Sequence, residues 1–390
     1  MQNQNMFNMS GPSSKNSSSE RLNEKVTYAS SSTEMAPAVK GRAVLVIHGG
    51  AGNLTRDRYG PELRDKYRAV LTLALEEGHA VLARGGCALD AVEAAITVLE
   101  DSPLFNAGKG AVLTKEGKVE LEASIMVSDP GAAGISPNEG DPTRRTTAVT
   151  GISHVKNPIS LAKNLYLAAD KTPHVLHAAP HAERLAEQLS CEMTEEAYFH
   201  TPARDRQFAA ADTADYAGVA DGDAKGTVGA VALDVNGFLA VGTSTGGKGG
   251  KLPGRIGDTP TVGAGYWCEQ FVATRKNSLW KRMIPFVNKK SQVPCGMGVS
   301  GTGDGDYFLR YSVCHDIYSR MKFLGENIES ATKVVLKDLG MNGGEGGVIG
   351  LTGDGEIIMG MNCAGMFRGW IDLADAKPRV GIFSDDRVIN

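Results

Sequence analysis

Apolar and polar positions along the chain follow two periods, with glycine-rich breaks between them. Arg42–Ile47 (Arg-Ala-Val-Leu-Val-Ile) is a continuous apolar run, the pattern of a buried strand, and His48-Gly-Gly-Ala-Gly-Asn53 breaks it. From Pro61 to about Arg84, Leu63, Tyr67, Val70, Leu71, Ala74 and Leu75 recur at helical spacing until Gly85-Gly86. Ala88–Leu99 predicts a second, shorter helix, and Glu100–Gly110 a loop dense in turn formers. Val119–Met126 alternates as a strand does, and helices are expected over Asn157–Asp170 and Pro180–Leu189.

Between about 195 and 226 the composition becomes small and polar, which predicts a mobile linker. The period then switches to that of strands. Val228–Leu233 and Phe238–Thr243 are joined at Asp234-Val-Asn-Gly237, a hairpin signal. A loop follows over Gly246–Pro260, then an irregular basic stretch over 269–294 that reads as a surface insertion. Helices are expected at Tyr307–Phe323 and Asn327–Leu339, and a closing strand pair at Gly347–Gly350 and Glu356–Asn362. The order suits an α+β chain in which helices cover a sheet-rich core, with one domain over 41–390.

Composition narrows the function classes. The formal net charge is −4, and no basic stripe marks a nucleic-acid surface. Six scattered cysteines contain no Cys-x-x-Cys pair, which argues against a zinc or redox site and fits a reducing compartment. No apolar run approaches the roughly 18 residues a membrane span needs. Residues 1–40 are rich in Ser and Asn and lack a signal-peptide core, so a disordered tail and a cytoplasmic location are expected. Glycine is in excess, 48 of 390 residues against a norm of roughly 7%, and it clusters as close backbone approaches require.

Gly226-Thr227 opens the hairpin. A threonine there is ordinarily just a β-branched residue starting a strand. If the chain is cut before it, its freed amine can serve as base for its own hydroxyl. The surrounding residues favour this second reading. Gly-Thr-Val-Gly-Ala-Val-Ala-Leu-Asp234, Thr-Ser-Thr-Gly-Gly247 and Lys-Leu-Pro-Gly-Arg-Ile-Gly-Asp258 resemble the plant-type asparaginase / isoaspartyl peptidase family of N-terminal nucleophile hydrolases. So do His48–Gly52, Ala88–Glu93 and Pro103–Gly110 upstream. The likeness runs from about 42 to 390, outside the linker and the insertion.

The resemblance implies a four-layer αββα sandwich and self-cleavage between Gly226 and Thr227. Thr227 would be the nucleophile, and Thr245 the threonine whose hydroxyl bonds it. Arg255 would hold the substrate's α-carboxylate and Asp258 its α-ammonium, with Ile256 and Gly257 between them. Ser300, Gly301, Thr302 and Gly303 would form the oxyanion hole and line the site. Main-chain carbonyls of Leu99, Glu100, Ser102, Phe105, Ala107 and Lys109 would hold a structural sodium, with Asn106 near the nucleophile. The implied substrates are L-asparagine and isoaspartyl dipeptides, without an organic cofactor, and the implied assembly is a homodimer of αβ units. Ser300 and Lys225 depart from the family's usual Thr and His. Glycosylasparaginase and aspartate-directed endopeptidase activities are the neighbouring alternatives, and a nucleotide-binding module is the alternative of another class.

Three other patterns carry less. Gly242-Thr-Ser-Thr-Gly246 fits a serine-hydrolase elbow, but the glycines and lysines after it cannot start the helix that elbow requires. His174, His177 and His181 read as surface residues, since Pro173 and Pro180 break any common face. Gly301–Asp306 is too short for a calcium loop or a phosphate cradle.

Overall fold

The apolar run after Arg42 becomes β1 (Val44–Gly52), in which every residue is buried. Both faces are covered, which is why the run is continuous rather than alternating. Leu45 and Ile47 join one hydrophobic cluster, and Val44 and Val46 another. This computed structural model describes residues 41–135, 141, 143–211, 226–274 and 292–389. The expected tail, the linker residues 212–225 (Lys225 among them) and the basic centre of the insertion lie outside the described residues.

Two sheets organise the described chain. The larger contains β1, β2 (Leu121–Val127), β3 (Thr146–Ile152), β4 (Leu176–Ala178), β5 (Val228–Leu233), β6 (Leu239–Thr245), β11 (Gly365–Asp372) and β12 (Arg379–Phe383). Its order is β12-β11-β1-β5-β6-β2-β3-β4. The smaller contains β7 (Tyr266–Thr274), β8 (Gln292–Gly303), β9 (Gly346–Thr352) and β10 (Ile357–Met361), in the order β10-β9-β8-β7. Neighbouring strands are antiparallel except β3 and β4.

Apolar side chains divide by face. α1 (Pro61–Ala83), α2 (Ala88–Glu100) and α3 (Pro158–Leu167) pack on Ile47, Ala123, Ala230 and Ala232 of the large sheet. Val46, Val231 and Val241 of that sheet cluster with Tyr266, Cys268, Ile349 and Leu351 of the small one. The small sheet's Met297, Val299 and Val348 pack on α7 (Val313–Ser319) and α8 (Ile328–Met341). The first three helices and the Val228 hairpin lie where periodicity places them, within a few residues.

Several elements correct the sequence reading. Part of the expected linker is a helix, α5 (Pro202–Ala211), fixed by the buried Arg204, whose Nε donates to the Gly110 carbonyl at 2.7 Å. Residues 269–274 and 292–294 belong to β7 and β8, which pair with each other, so both ends of the supposed insertion are sheet. The expected helix at 307–323 is broken at Ser312, where φ is 48°, into α6 (Gly305–Tyr311) and α7. The chain does not close at 362: β11 and β12 follow and pair with β1. The helix expected over Pro180–Leu189 is α4 (His181–Gln188).

Candidate active site

Thr227 stands just before β5, almost fully buried between the sheets. Its backbone N–H donates to Thr302 Oγ1 at 3.1 Å, and its hydroxyl lies 3.2 Å from that of Thr259. The preceding Gly226 has a φ of 155°, and a Cβ there would run into the Gly50 backbone. Only glycine suits that position, so the Gly226–Thr227 peptide is clamped against the His48–Gly52 segment. Gly229, opposite His48 in the β1–β5 register, is a second close approach. Its missing side chain leaves room for His48 Nε2 to meet Ser300 Oγ at 2.7 Å. Burial pushes the His48 imidazole down to about 3, against a smaller opposing pull from the Thr227 backbone. At neutral pH the ring is an uncharged hydrogen-bonding group.

Continuing the β5–β6 register by one pair sets Thr227 opposite Thr245. In this uncut chain the Thr245 hydroxyl is occupied otherwise, donating to the Asn106 carbonyl at 3.3 Å and accepting from Gly247 N at 3.0 Å. The hydroxyl facing the Thr227 side chain is that of Thr259. Gly301, expected in an oxyanion hole, donates its N–H to the Gly265 carbonyl at 2.8 Å. Thr302 is therefore the member of the 300–303 segment bonded directly to Thr227, while Ser300 faces His48. Gly303 pairs with Gly346 at the end of β8.

The loop carrying Arg255 and Asp258 is held by one edge of β2. Alternate residues of a strand face the same way, and Glu120, Glu122 and Ser124 use that spacing. Glu120 accepts from Gly254 N at 2.9 Å, Glu122 Oε1 from Gly257 N at 2.9 Å, and the Thr259 carbonyl accepts from Ser124 Oγ at 2.6 Å. Lys251, buried, donates to the Glu120 carbonyl at 2.7 Å. Asp258 and Glu122 are both almost fully buried, and each keeps one carboxylate oxygen, Oδ2 and Oε2, without a partner among the described residues. Arg255 Nη2 donates to Asp306 Oδ1 at 2.8 Å. Ile256, half exposed, sits at the rim.

Burial pushes Asp258 up to about 7, with the neighbouring Glu122 charge adding to the rise and Arg255 opposing it. Glu122 is raised by burial against the pull of Lys251, the Gly257 N–H and Arg255. Asp306 is lowered despite partial burial, because its hydrogen bond to Arg255 and that charge outweigh desolvation. The result is one guanidinium among three carboxylates, two of them buried and incompletely satisfied. Such a cluster suits a ligand bringing both a carboxylate and an ammonium group.

Asn106 ties the 99–110 loop to this site. Its Nδ2 donates to the Gly247 carbonyl at 2.7 Å, and its Oδ1 accepts from Val112 N at 2.9 Å. Within the loop the carbonyls of Glu100 and Phe105 press so closely on Gly108 and Gly110 that a Cβ at either would collide. Carbonyl oxygens gathered this way are the donor type a hard cation accepts. Ser102, Ala107 and Phe105 are buried within the loop, Leu99 lies in the last turn of α2, and Lys109 Nζ lies 5.0 Å from the Tyr198 ring centroid.

The remaining patterns are structural. Ser244 points away from Thr227 and donates to Glu100 Oε1 at 2.6 Å inside a continuous strand, so there is no elbow. His177 is buried, contrary to expectation, with its Nε2 2.8 Å from Thr172 Oγ1, while His174 and His181 are exposed. His48, Thr259, Glu122 and Asp306 were not singled out by sequence. His48 lies within a quoted glycine motif, Thr259 directly follows Asp258, and Glu122 lies in the alternating strand.

A buried threonine hydroxyl at a strand head, two strands from the carboxylate that holds the Arg255–Asp258 loop, is the equipment of a hydrolase with a threonine nucleophile. Comparison with known proteins agrees. The family model described as asparaginase matches residues 41–275 and 295–381. An isoaspartyl peptidase of Salmonella typhimurium is 36% identical over 88% of this chain and 99% of its own length. A probable isoaspartyl peptidase/L-asparaginase 2 of Arabidopsis thaliana is 35% identical over 84% and 95%, and an isoaspartyl peptidase/L-asparaginase of Bos taurus 33% over 89% and 98%. The chain belongs to the asparaginase family, whose members are N-terminal nucleophile hydrolases.

Proposed function

We propose that this chain is an isoaspartyl peptidase/L-asparaginase that activates itself by cutting before Thr227. The observation that carries the reading is Thr227 itself. It is a buried hydroxyl behind a glycine that admits no side chain, on the same sheet as β2, whose side chains hold the Arg255–Asp258 loop. Thr227 Oγ attacks the Gly226 carbonyl, the C–N bond breaks as the ester forms, and the amine takes up the proton. Water then hydrolyses the ester, leaving a carboxylate on Gly226 and a free hydroxyl on Thr227. The new α-amine, with a reference pKa of about 8, accepts the Oγ proton when Thr227 attacks the β-carbonyl of the substrate.

Arg255 holds the substrate's α-carboxylate and Asp258 its α-ammonium. The leaving amine is ammonia from asparagine or an amino acid from a β-aspartyl dipeptide, and water releases L-aspartate from the acyl-enzyme. Thr302 and Ser300 supply the hydroxyls beside the reacting carbonyl, and Thr245 takes up the nucleophile once cleavage frees it from the uncut arrangement. The carbonyls of the 99–109 loop would hold a sodium ion, which would stiffen Asn106 and through it Thr245. The cluster-by-cluster packing supports a four-layer αββα arrangement. The working form is a homodimer of αβ units in the cytoplasm.

The test is a denaturing gel with intact-mass measurement on purified protein, followed by assays on asparagine, β-aspartyl dipeptides and glycosylated asparagine. Two chains, 1–226 and 227–390, with turnover of the first two substrates, are expected. An uncut chain that is nevertheless active overturns the proposal. Turnover of glycosylated asparagine alone moves the chain to the neighbouring activity.

The pH profile follows from Asp258. Its carboxyl must be ionised to receive an ammonium group, and burial raises it to about 7. As pH falls through that value the protonated fraction grows and binding weakens. kcat/KM, which reports the free enzyme, should therefore drop toward a slope of at least one per pH unit on the acid side. A profile flat from pH 8 to pH 5 contradicts the role given to Asp258.

A further inference from the structure

We propose that Glu122 is a positioning residue of the substrate site. It fixes the Arg255–Asp258 segment through the Gly257 N–H and sets the field in which those two side chains meet the charges of an aspartyl group. This rests on the reading of Arg255 and Asp258 given above.

The placement comes from register. Glu122 is opposite Thr245 in the β2–β6 pairing, and Thr245 stands opposite Thr227 once the β5–β6 pairing is continued. Three neighbouring strands thus carry Thr227, Thr245 and Glu122 in a row. Two strand spacings set the first and last about 10 Å apart. That distance leaves room for an aspartyl group, with its β-carbonyl at Thr227 and its α-charges toward Glu122.

The chemistry separates Glu122 from its neighbours on the strand. Ser124 anchors the loop with a neutral hydroxyl, and Glu120 does so from a partly exposed position. Glu122 does the same with a carboxylate that is fully buried. Burying a charge costs several kcal/mol, so a neutral hydrogen-bonding group would serve an anchor alone better. Its second oxygen has no partner and points to Gly257, where an added Cβ would lie 3.1 Å from Oε2 and 2.7 Å from Arg255 Nη1.

The charged groups around this point are Arg255, Lys251, Asp258, Asp306 and Glu120, with the Cys314 thiol beside Asp258. Asp306 takes the Arg255 guanidinium, while Glu122 and Asp258 repel each other. An arriving α-ammonium relieves that repulsion, and the α-carboxylate completes the pairing of Arg255. Binding of the two substrate charges is then coupled through Glu122.

Glu122→Gln tests this in the self-cleaved enzyme. Self-cleavage should proceed as in the wild type, since the cut peptide lies two strands away. KM for a β-aspartyl dipeptide should rise about tenfold, a loss of ~1.4 kcal/mol, with kcat within about twofold. The acid limb of kcat/KM should move to lower pH, because removing the neighbouring negative charge lets Asp258 ionise more easily; a purely structural anchor would not move it. Glu122→Asp keeps the charge but shortens the reach to Gly257, so it should raise KM and leave the limb in place.

Wild-type KM and an unmoved limb in Glu122→Gln overturn the proposal, as does a loss confined to kcat. If Glu122→Gln is insoluble, Glu122→Asp decides: wild-type KM there overturns the positioning role. A wild type that neither cuts itself nor hydrolyses β-aspartyl substrates overturns the underlying reading instead.

Discussion

Thr227→Ala is expected to remain a single uncut chain and to hydrolyse neither asparagine nor β-aspartyl dipeptides above background. The hydroxyl is asked to do two jobs, opening the Gly226 carbonyl and then the substrate's, and no other group can take over either. Thr259 Oγ1 is close at 3.2 Å, but it lacks an adjacent amine to act as base. Loss of a nucleophile that works as a unit with its base costs on the order of 10⁴-fold or more in kcat. The fold should survive. Thr227 N–H keeps its bond to Thr302 Oγ1, and the lost hydroxyl contact is worth about 1 kcal/mol. Intact mass, circular dichroism and a progress curve on asparagine check the three parts. Thr227→Ser, which keeps the hydroxyl and loses only the methyl, should cut and turn over more slowly. Normal processing of Thr227→Ala would sink the assignment.

Arg255→Ala should separate the two reactions. In the proposed mechanism the guanidinium holds the substrate's α-carboxylate and has no part in cutting before Thr227, so the variant should still appear as two chains. Activity should fall steeply, because truncation removes a charge-assisted pair with Asp306 and takes one compensating cation from the buried Glu122 and Asp258. Breaking such a pair costs about 3 kcal/mol, or on the order of 10²-fold in kcat/KM. Arg255→Lys keeps the charge but loses the planar fork, and should recover only part of the loss. Cleavage by mass and kcat/KM on one β-aspartyl dipeptide are the measurements. Activity within threefold of wild type would place the α-carboxylate elsewhere.

The contrast between these variants also shows how the site was encoded. Thr227 and Arg255 were legible because the segments that hold them, Gly226–Asp234 and Lys251–Asp258, resemble the asparaginase family; the glycine and hairpin signals alone left Thr227 an ordinary threonine at a strand start. The Thr245 contact was legible only in part. Its place opposite Thr227 follows from the hairpin, but its partners in the uncut chain, Asn106 and Gly247, come from a loop 139 residues away in sequence and from its own turn. Thr259 was invisible for the same reason, as its bond to Thr227 depends on how the loop after β6 folds back under Ser124.

The chain alone determined what local physics can determine. Helical spacing set α1 to α3, alternation and a turn set the β5–β6 hairpin, and the glycine clusters marked where backbones approach. It also carried the hydroxyl, the guanidinium and the carboxylate as residue types, and the resemblance of the segments around them implied their roles. Only the tertiary structure decided which distant groups meet. β8 brings Ser300 to His48 and Thr302 to Thr227, and β2 brings Glu122 beneath Gly257. It decided, too, that Ser312 breaks a helix and that 202–211 forms one. The reason is that these outcomes rest on strand pairing and burial across hundreds of residues. Such contacts leave no period in the sequence, yet they shift the Asp258 carboxyl and silence the His48 imidazole.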